Sequence, residues 1–191
     1  METISRLKMN NKEQTEIILD NFAKMLLRRK LIKNHKNTLD NLIKIESKGI
    51  YTWKEESIDF VLMIIFQKIN GVKKGSDLEE LLIKSNNKKT FIVAQEVSNK
   101  TYGQVKDFGA ELFTTFEFLS DIPSNPLIPE HIILNEKEKE QVLKVYKEKN
   151  LAKILSDDMM VRYIGAIKGD ILKIIRPTYN TGSSIYYRKV V

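Results

Sequence analysis

At 191 residues, with 42% apolar and 30% charged side chains, the chain has the length and balance of one sizeable folded domain or two small ones, which excludes wholesale disorder. Cysteine is absent, which rules out disulfides, thiolate nucleophiles and cysteine-ligated zinc, and the two histidines, His35 and His131, are too far apart in the chain for the usual zinc spacings and give Ser-His-Asp chemistry little material. The net charge of +7 divides as 20 basic against 17 acidic residues over 1–125 and 12 against 8 over 126–191, so neither part is a basic tail and the balance suits a protein near nucleic acid better than one gripping it alone.

The longest apolar run, Phe60 to Phe66, falls well short of the roughly 20 residues that span a bilayer. No apolar signal-peptide core follows Met1–Arg6, so a protein inside the cell and off the membrane is expected. Of the 32 basic residues 26 are lysine, and asparagine and isoleucine are frequent, which is the composition of an A·T-rich genome.

Ile18, Phe22, Met25 and Leu26 fall on one face of a helix predicted over 12–32. Six basic residues and no acid lie between Lys24 and Lys36, either a phosphate-facing patch or, the favoured reading, a solvated helix end. Leu39, Leu42, Ile43 and Ile45 suggest a second helix ending near Gly49. Ile58–Phe66 reads as a strand buried on both faces. After a turn over Gly71–Ser76, Ser76 or Asp77 caps a helix to about Lys84, with Leu78, Leu81 and Leu82 inward. Strand Thr90–Gln95, a helix opened by Ser98 or Asn99 and ended by Phe108, and strand Glu111–Leu119 complete a predicted α/β layer with partly parallel pairing.

Asp121–Pro126, with its prolines, serine and asparagine, is the predicted boundary between domains 1–123 and 124–191. Beyond it Ile132–Leu134 reads as a short strand. Asn135 and Glu138 form a capping-box pattern for a helix burying Val142, Leu143 and Tyr146. Asp157 or Asp158 starts a short helix to Gly165, and Ile167–Asp170 is a turn with Gly169 where a type II turn needs positive φ. Strand Ile171–Arg176 stops at Pro177, and Ile185–Val191 returns beside it after the loop Thr178–Ser184.

Four segments of this last part, Leu127-Ile128-Pro129-Glu130-His131, Val161-Arg162-Tyr163-Ile164-Gly165, Lys168-Gly169-Asp170 and Lys173-Ile174-Ile175-Arg176-Pro177, resemble in order and spacing the fifth-subunit family of eukaryotic DNA-directed RNA polymerases. The C-terminal part of that family corresponds to a small archaeal polymerase subunit. Residues 1–123 are similar to the family's N-terminal jaw, a truncated restriction-endonuclease-like α/β fold, chiefly from Phe91 through Phe116. The resemblance thus implies an α/β (α+β) protein of two domains, the second a small α+β assembly module. Asp158-Met159-Met160-Val161 stands where the family has Asp-Pro-Val-Ala, Leu151-Ala152-Lys153-Ile154 where it has Leu-Pro-Arg-Ile, and Ser98-Asn99-Lys100-Thr101 where it has Thr-Pro-Ser-Ala. That divergence, with the composition, points to a large DNA virus or an A·T-rich protist as the source.

The resemblance implies a non-catalytic subunit with neither cofactor nor metal. Its C-terminal domain would dock on the largest polymerase subunit, other subunits would be partners, and its jaw would lie beside downstream DNA in a sequence-independent way. The expected partner-binding residues are His131, Arg162, Tyr163, Arg176, Pro177, Tyr187 and Arg188; those near DNA are Lys73, Lys74, Asn99, Lys100 and Lys106. Arg162 and Arg176 read equally as internal clamps and partner contacts, and Tyr163, Tyr179, Tyr186 and Tyr187 as core residues of which at least one reaches a partner. A cellular protein would be nuclear; a viral one would work in the virion or the infected-cell cytoplasm. Two rival readings are an active nuclease using Asp59 and Glu96 around Mg²⁺, weakened because Ser98 stands where Glu-x-Lys spacing needs lysine, and a free-standing DNA-binding protein, for which no reading motif exists.

Overall fold

The structure, a computed structural model, describes residues 9–45, 49–85, 87–178 and 182–191. Contacts divide it into two units, Met1–Ser120 and Asp121–Val191.

In the first unit, helix α1 (Asn11–Arg28) starts from Asn10, whose side chain accepts from the Glu13 N–H at 2.9 Å while the Glu13 carboxylate accepts from the Asn10 N–H at 3.0 Å. Helix α2 (His35–Asp40) precedes strands β1 (Ile43–Ile45), β2 (Ile50–Glu55) and β3 (Ile58–Ile69). Helix α3 (Asp77–Lys84), strand β4 (Lys89–Val97), helix α4 (Asn99–Asp107), strand β5 (Glu111–Thr114) and helix α5 (Thr115–Phe118) follow. The strands form one sheet in the order β1-β2-β3-β4-β5, antiparallel from β1 to β3 and parallel from β3 to β5.

Both faces of β3 are covered, which is why its apolar run is continuous. Val61 and Met63 share a cluster with Leu78 and Leu82 of α3 and Val105 of α4. Phe60, on the opposite face, stacks on Trp53 at 5.0 Å, and Phe22 of α1 meets Trp53, Phe91 and Phe118 edge-on at 5.0–5.9 Å between centroids.

The second unit contains β6 (Glu130–Ile133), α6 (Glu136–Val145), β7 (Ala152–Ile154), α7 (Met159–Ile164), β8 (Ile171–Thr178) and β9 (Gly182–Val190). Its sheet runs β6-β8-β9-β7, with β7 parallel to β9 and the other pairs antiparallel. Helix α7 places Val161 against Leu172, Ile174 and Val190 on one face. Helix α6 places Val142 against Ile171 on the other, with Tyr187 packed beside them. Gly165 ends α7 at φ 73°, and Gly169 takes φ 100° in the turn whose Asp170 N–H donates to Ile167 O at 3.0 Å.

Several sequence expectations are corrected. The helix expected to continue through Ile43 and Ile45 ends at Asp40, and the chain instead makes β1 and β2. Tyr51 and Trp53 alternate with less buried neighbours and pair with Leu62 and Phe60, so tertiary pairing overrides the weak helical spacing. The strand expected to run to Leu119 stops at Thr114, because the Glu117 carboxylate accepts from the Thr114 N–H at 2.6 Å and from its hydroxyl at 3.1 Å. That local cap competes with the ladder and turns the chain into α5. Pro177 lies inside β8, opposite Ser183 near the end where β8 passes into β9 and beyond the stretch paired with β6, where a missing N–H costs little. Strand β7 has no counterpart among the expected elements: it has three residues and pairs with a distant strand. Tyr146 caps α6 and is half exposed rather than buried, its ring 6.0 Å from Tyr187.

Candidate docking surface

Strand alternation sorts the expected partner residues onto two faces of the second sheet. His131 lies opposite Ile174, and Ile174 opposite Tyr186; Leu172 lies opposite Arg188, and Arg176 opposite Ser184. His131, Arg176, Tyr186 and Arg188 therefore share the face on which α7 packs. Pro177 and Tyr187 belong to the other face, and Tyr187 leans on the cluster beneath α6. The structure brings the expected set together only in part.

The two arginines left open by the sequence differ in surroundings. The Arg162 Nε donates to Asp157 O at 3.0 Å, an internal clamp at the start of α7. Arg176 is exposed, and its guanidinium carbon sits 5.4 Å from the Tyr186 ring centre, a cation–π arrangement. Arg188 donates to Lys153 O at 3.2 Å across to β7. His131 is half-buried, and its Nδ1 lies 2.7 Å from Pro129 O. A carbonyl only accepts, so Nδ1 carries the hydrogen and Nε2 is the atom left for another group.

Tyr163 is buried, Tyr187 half-buried and Tyr186 49% exposed; Tyr179 lies outside the described residues. Tyr186 is the surface aromatic that the expected site residues omit. Its spacing of two from Arg188 on a strand was the available signal, since such residues share a face.

In the first unit, Lys73 and Lys74 follow β3, while Asn99 and Lys100 follow β4, at the carboxyl ends of neighbouring parallel strands. The Val72 N–H donates to Gln104 Oε1 at 3.0 Å and the Ser98 N–H to Ile69 O at 3.0 Å, which ties the two connections together. All four side chains are exposed on this edge. Lys106 is exposed too but lies six residues along α4 from Lys100, about 9 Å farther on at 1.5 Å per residue. Three of the six basic residues in the run Lys24–Lys36 have carboxylate partners within the protein: Lys24 pairs with Asp20, Arg29 with Glu111 and Lys33 with Glu56.

The nuclease pair is geometrically separated. Glu96 lies opposite Lys68 and pairs with it at 3.1 Å, whereas Asp59 is nine residues back along β3, roughly 30 Å at 3.3 Å per residue. The two carboxylates cannot share a metal ion. Among the described residues no group of three metal-ligating side chains occurs, and no helix is long and apolar enough to cross a membrane.

These surfaces belong to a two-unit, mixed α/β protein. Residues 120–190 match the family RNA polymerase Rpb5, C-terminal domain. The whole chain is 33% identical to DNA-directed RNA polymerase subunit 5 of Acanthamoeba polyphaga mimivirus, covering 98% of that protein. It is also 37% identical over 92 residues to the RNA polymerases I, II and III subunit rpabc1 of Dictyostelium discoideum, a match covering 47% of each chain. A 67-residue stretch is 42% identical to RNA polymerase subunit Rpo5 of Archaeoglobus fulgidus, covering 34% of this chain and 88% of that one. The chain belongs to the Rpb5/RPABC1/Rpo5 family of RNA polymerase subunits. It is a non-catalytic subunit of a multi-subunit DNA-directed RNA polymerase, with a viral relative matching along its full length.

Proposed function

We propose that the two units divide the work of this subunit: residues 124–191 dock on the largest polymerase subunit, and residues 1–123 form a jaw beside downstream DNA. The observation that carries the docking half is the match of residues 120–190 to the family's C-terminal domain, together with a chain in archaea that consists of little else. A unit that persists without the jaw is the natural seat of assembly. Within it, His131, Arg176 and Arg188 on one face and Pro177 and Tyr187 on the other supply partner contacts. Arg162 and Tyr163 act through α7, which they hold in place.

The jaw reading rests on the parallel β3-α3-β4-α4-β5 layer, which suits a truncated restriction-endonuclease-like fold. The edge bearing Lys73, Lys74, Asn99 and Lys100 would face the phosphates, with Lys106 behind. Contact there is electrostatic and blind to sequence, because no helix presents a reading set. The full-length viral relative favours a virion or infected-cell cytoplasmic setting over the nucleus.

The test is co-purification of the tagged chain, and of a 124–191 fragment, with the other polymerase subunits, followed by mass spectrometry. Both should retain the largest subunit. Retention by the full chain but not by the fragment would move docking to the first unit.

A further inference from the structure

Charge is distributed unevenly over the second sheet. The face under α7 carries His131 and Ile133 from β6, Leu172, Ile174 and Arg176 from β8, and Ser184, Tyr186 and Arg188 from β9, and none of these is acidic. On the opposite face the basic residue of β9, Lys189, already holds Glu148 at 2.7 Å. In the first unit the buried Arg29 has a carboxylate of its own, Glu111 at 2.8 Å. Among the described residues, Arg176 has only the Tyr186 ring, and Arg188 only a backbone carbonyl. The carboxylate of Asp158 is engaged by the Met160 and Val161 N–H groups at the start of α7.

A guanidinium held over a ring is restrained while its N–H groups stay open to a carboxylate, which lowers the entropic cost of a bidentate contact. On the same face the cross-strand row Tyr186–Ile174–His131 places His131 on β6 with Nε2 uncommitted, and β6 is an edge strand with Ile133 partly exposed. Fixed cations, an aromatic ring, a second polar atom and an apolar neighbour along an open edge suit an extended peptide carrying aspartate or glutamate.

We propose that the patch formed by Arg176, Tyr186 and His131 receives an acidic, extended segment of another polymerase subunit, one carboxylate of which pairs with the Arg176 fork. This rests on the docking role of the second unit and adds the chemistry of the partner. It also assigns Tyr186 as a contact residue that holds the arginine in position.

The experiment uses the full chain co-expressed with the remaining polymerase subunits. A photo-crosslinking benzoylphenylalanine replaces Tyr186, and the crosslinked peptide is sequenced by mass spectrometry. In parallel, Arg176→Glu and Arg176→Lys compete with wild type for incorporation. We expect a crosslink to a subunit segment with aspartate or glutamate beside the attachment point. Incorporation should fall at least about tenfold for Arg176→Glu and less for Arg176→Lys, which keeps the charge but loses the fork. Thermal melting of both variants should match wild type, because Arg176 is exposed. A crosslink to a neutral or basic segment, a crosslink to nucleic acid, or an assembled complex with no crosslink would each overturn the proposal while leaving the docking role standing. Failure of the wild-type chain to co-purify with any polymerase subunit would instead remove the docking role, and this proposal with it.

Discussion

The guanidinium of Arg29 grips the carboxylate of Glu111 with both arms, Nη1 to Oε1 at 2.9 Å and Nη2 to Oε2 at 2.8 Å, and thereby fastens the end of α1 to strand β5. Its side chain is only 5% exposed and lies 5.8 Å from the Phe91 ring centre and 5.9 Å from that of Phe113. Removing one partner of a buried pair costs about 3–5 kcal/mol, and Glu111, at 32% exposure, recovers part of its hydration. Arg29→Ala should therefore lower stability by about 2–4 kcal/mol and Arg29→Lys by less. Urea unfolding in a double-mutant cycle with Glu111→Gln should show clear coupling. Additive single effects would mean that the rings, not the ion pair, hold the helix end.

How much of this was legible beforehand follows from the range of each signal. Helix α1, the helix capped by Ser76 and the capping box of Asn135 and Glu138 were readable because their determinants lie within a few residues of one another. Strand β7 was not, since its partner β9 lies far along the chain; β1 and β2 pair with chain neighbours, but the spacing of Leu39, Leu42, Ile43 and Ile45 fits a helix as well as a strand. The basic run Lys24–Lys36 could not be apportioned either, because Glu56 and Glu111 lie far away in sequence. Residue types at the candidate docking surface were visible in sequence. Their division between two faces was not, because it depends on the register of β6, β8 and β9.

The hairpin joining β2 to β3 carries a pH-sensitive tie. Lys33 Nζ lies 2.5 Å from Glu56 Oε1, and Glu56 takes an unusual φ of 53°. The hydrogen bond from Lys33, followed by its charge, lowers the Glu56 carboxyl below its ordinary 4.5. The same bond and charge raise Lys33 above its ordinary 10.5. The contribution of the lowered carboxyl is complete above 4.5 and is lost as pH falls through the folded-state value; that of the raised lysine is complete below 10.5 and is lost as pH rises through its own. Both side chains are well exposed, so the effect is small and weakened by salt. Denaturation midpoints of wild type and Lys33→Gln should differ at neutral pH in low salt and converge in acid. A difference that persists unchanged in acid would assign the effect to packing of the lysine stem.

Gly49 is required by contact as well as by conformation. At φ +62°, a Cβ there would lie 2.6 Å from Ile64 O, the residue whose N–H donates to Gly49 O at 2.9 Å. Gly75, at φ +75°, has open space around it. Left-handed backbone alone costs a side chain about 1–2 kcal/mol, so Gly75→Ala should lose about 1 kcal/mol and Gly49→Ala at least about 2 kcal/mol. Thermal unfolding of the two variants separates the contributions. Equal losses would show that the backbone at Gly49 relaxes away from Ile64.

Strand β9 is the keystone of the second unit, because it lies between β8 and β7 in the sheet. It pairs with β8 from Ile171↔Lys189 to Thr178↔Gly182 and with β7 from Ala152↔Arg188 to Ile154↔Val190. Val190 is fully buried, and its N–H donates to Asp170 O at 2.9 Å while its carbonyl accepts from Gly169 at 3.0 Å. The Val191 N–H donates to Ile154 O at 2.9 Å. Deleting residues 185–191 leaves β7 without a strand partner and strips Ile171–Ile175 of β8 of their β9 neighbours, leaving only β6 beside that stretch. Burial of one valine side chain is worth about 1.5–3 kcal/mol, and a domain this small holds only about 3–5 kcal/mol in its core. Truncation after Ser184 should therefore unfold the second unit, seen as rapid proteolysis beyond residue 121, and remove the subunit from the polymerase. Replacing the half-exposed Ile185 by serine should leave the fold and its protease resistance intact. If the truncated chain is incorporated as well as wild type, the second unit is not the seat of docking, and the first unit must carry it.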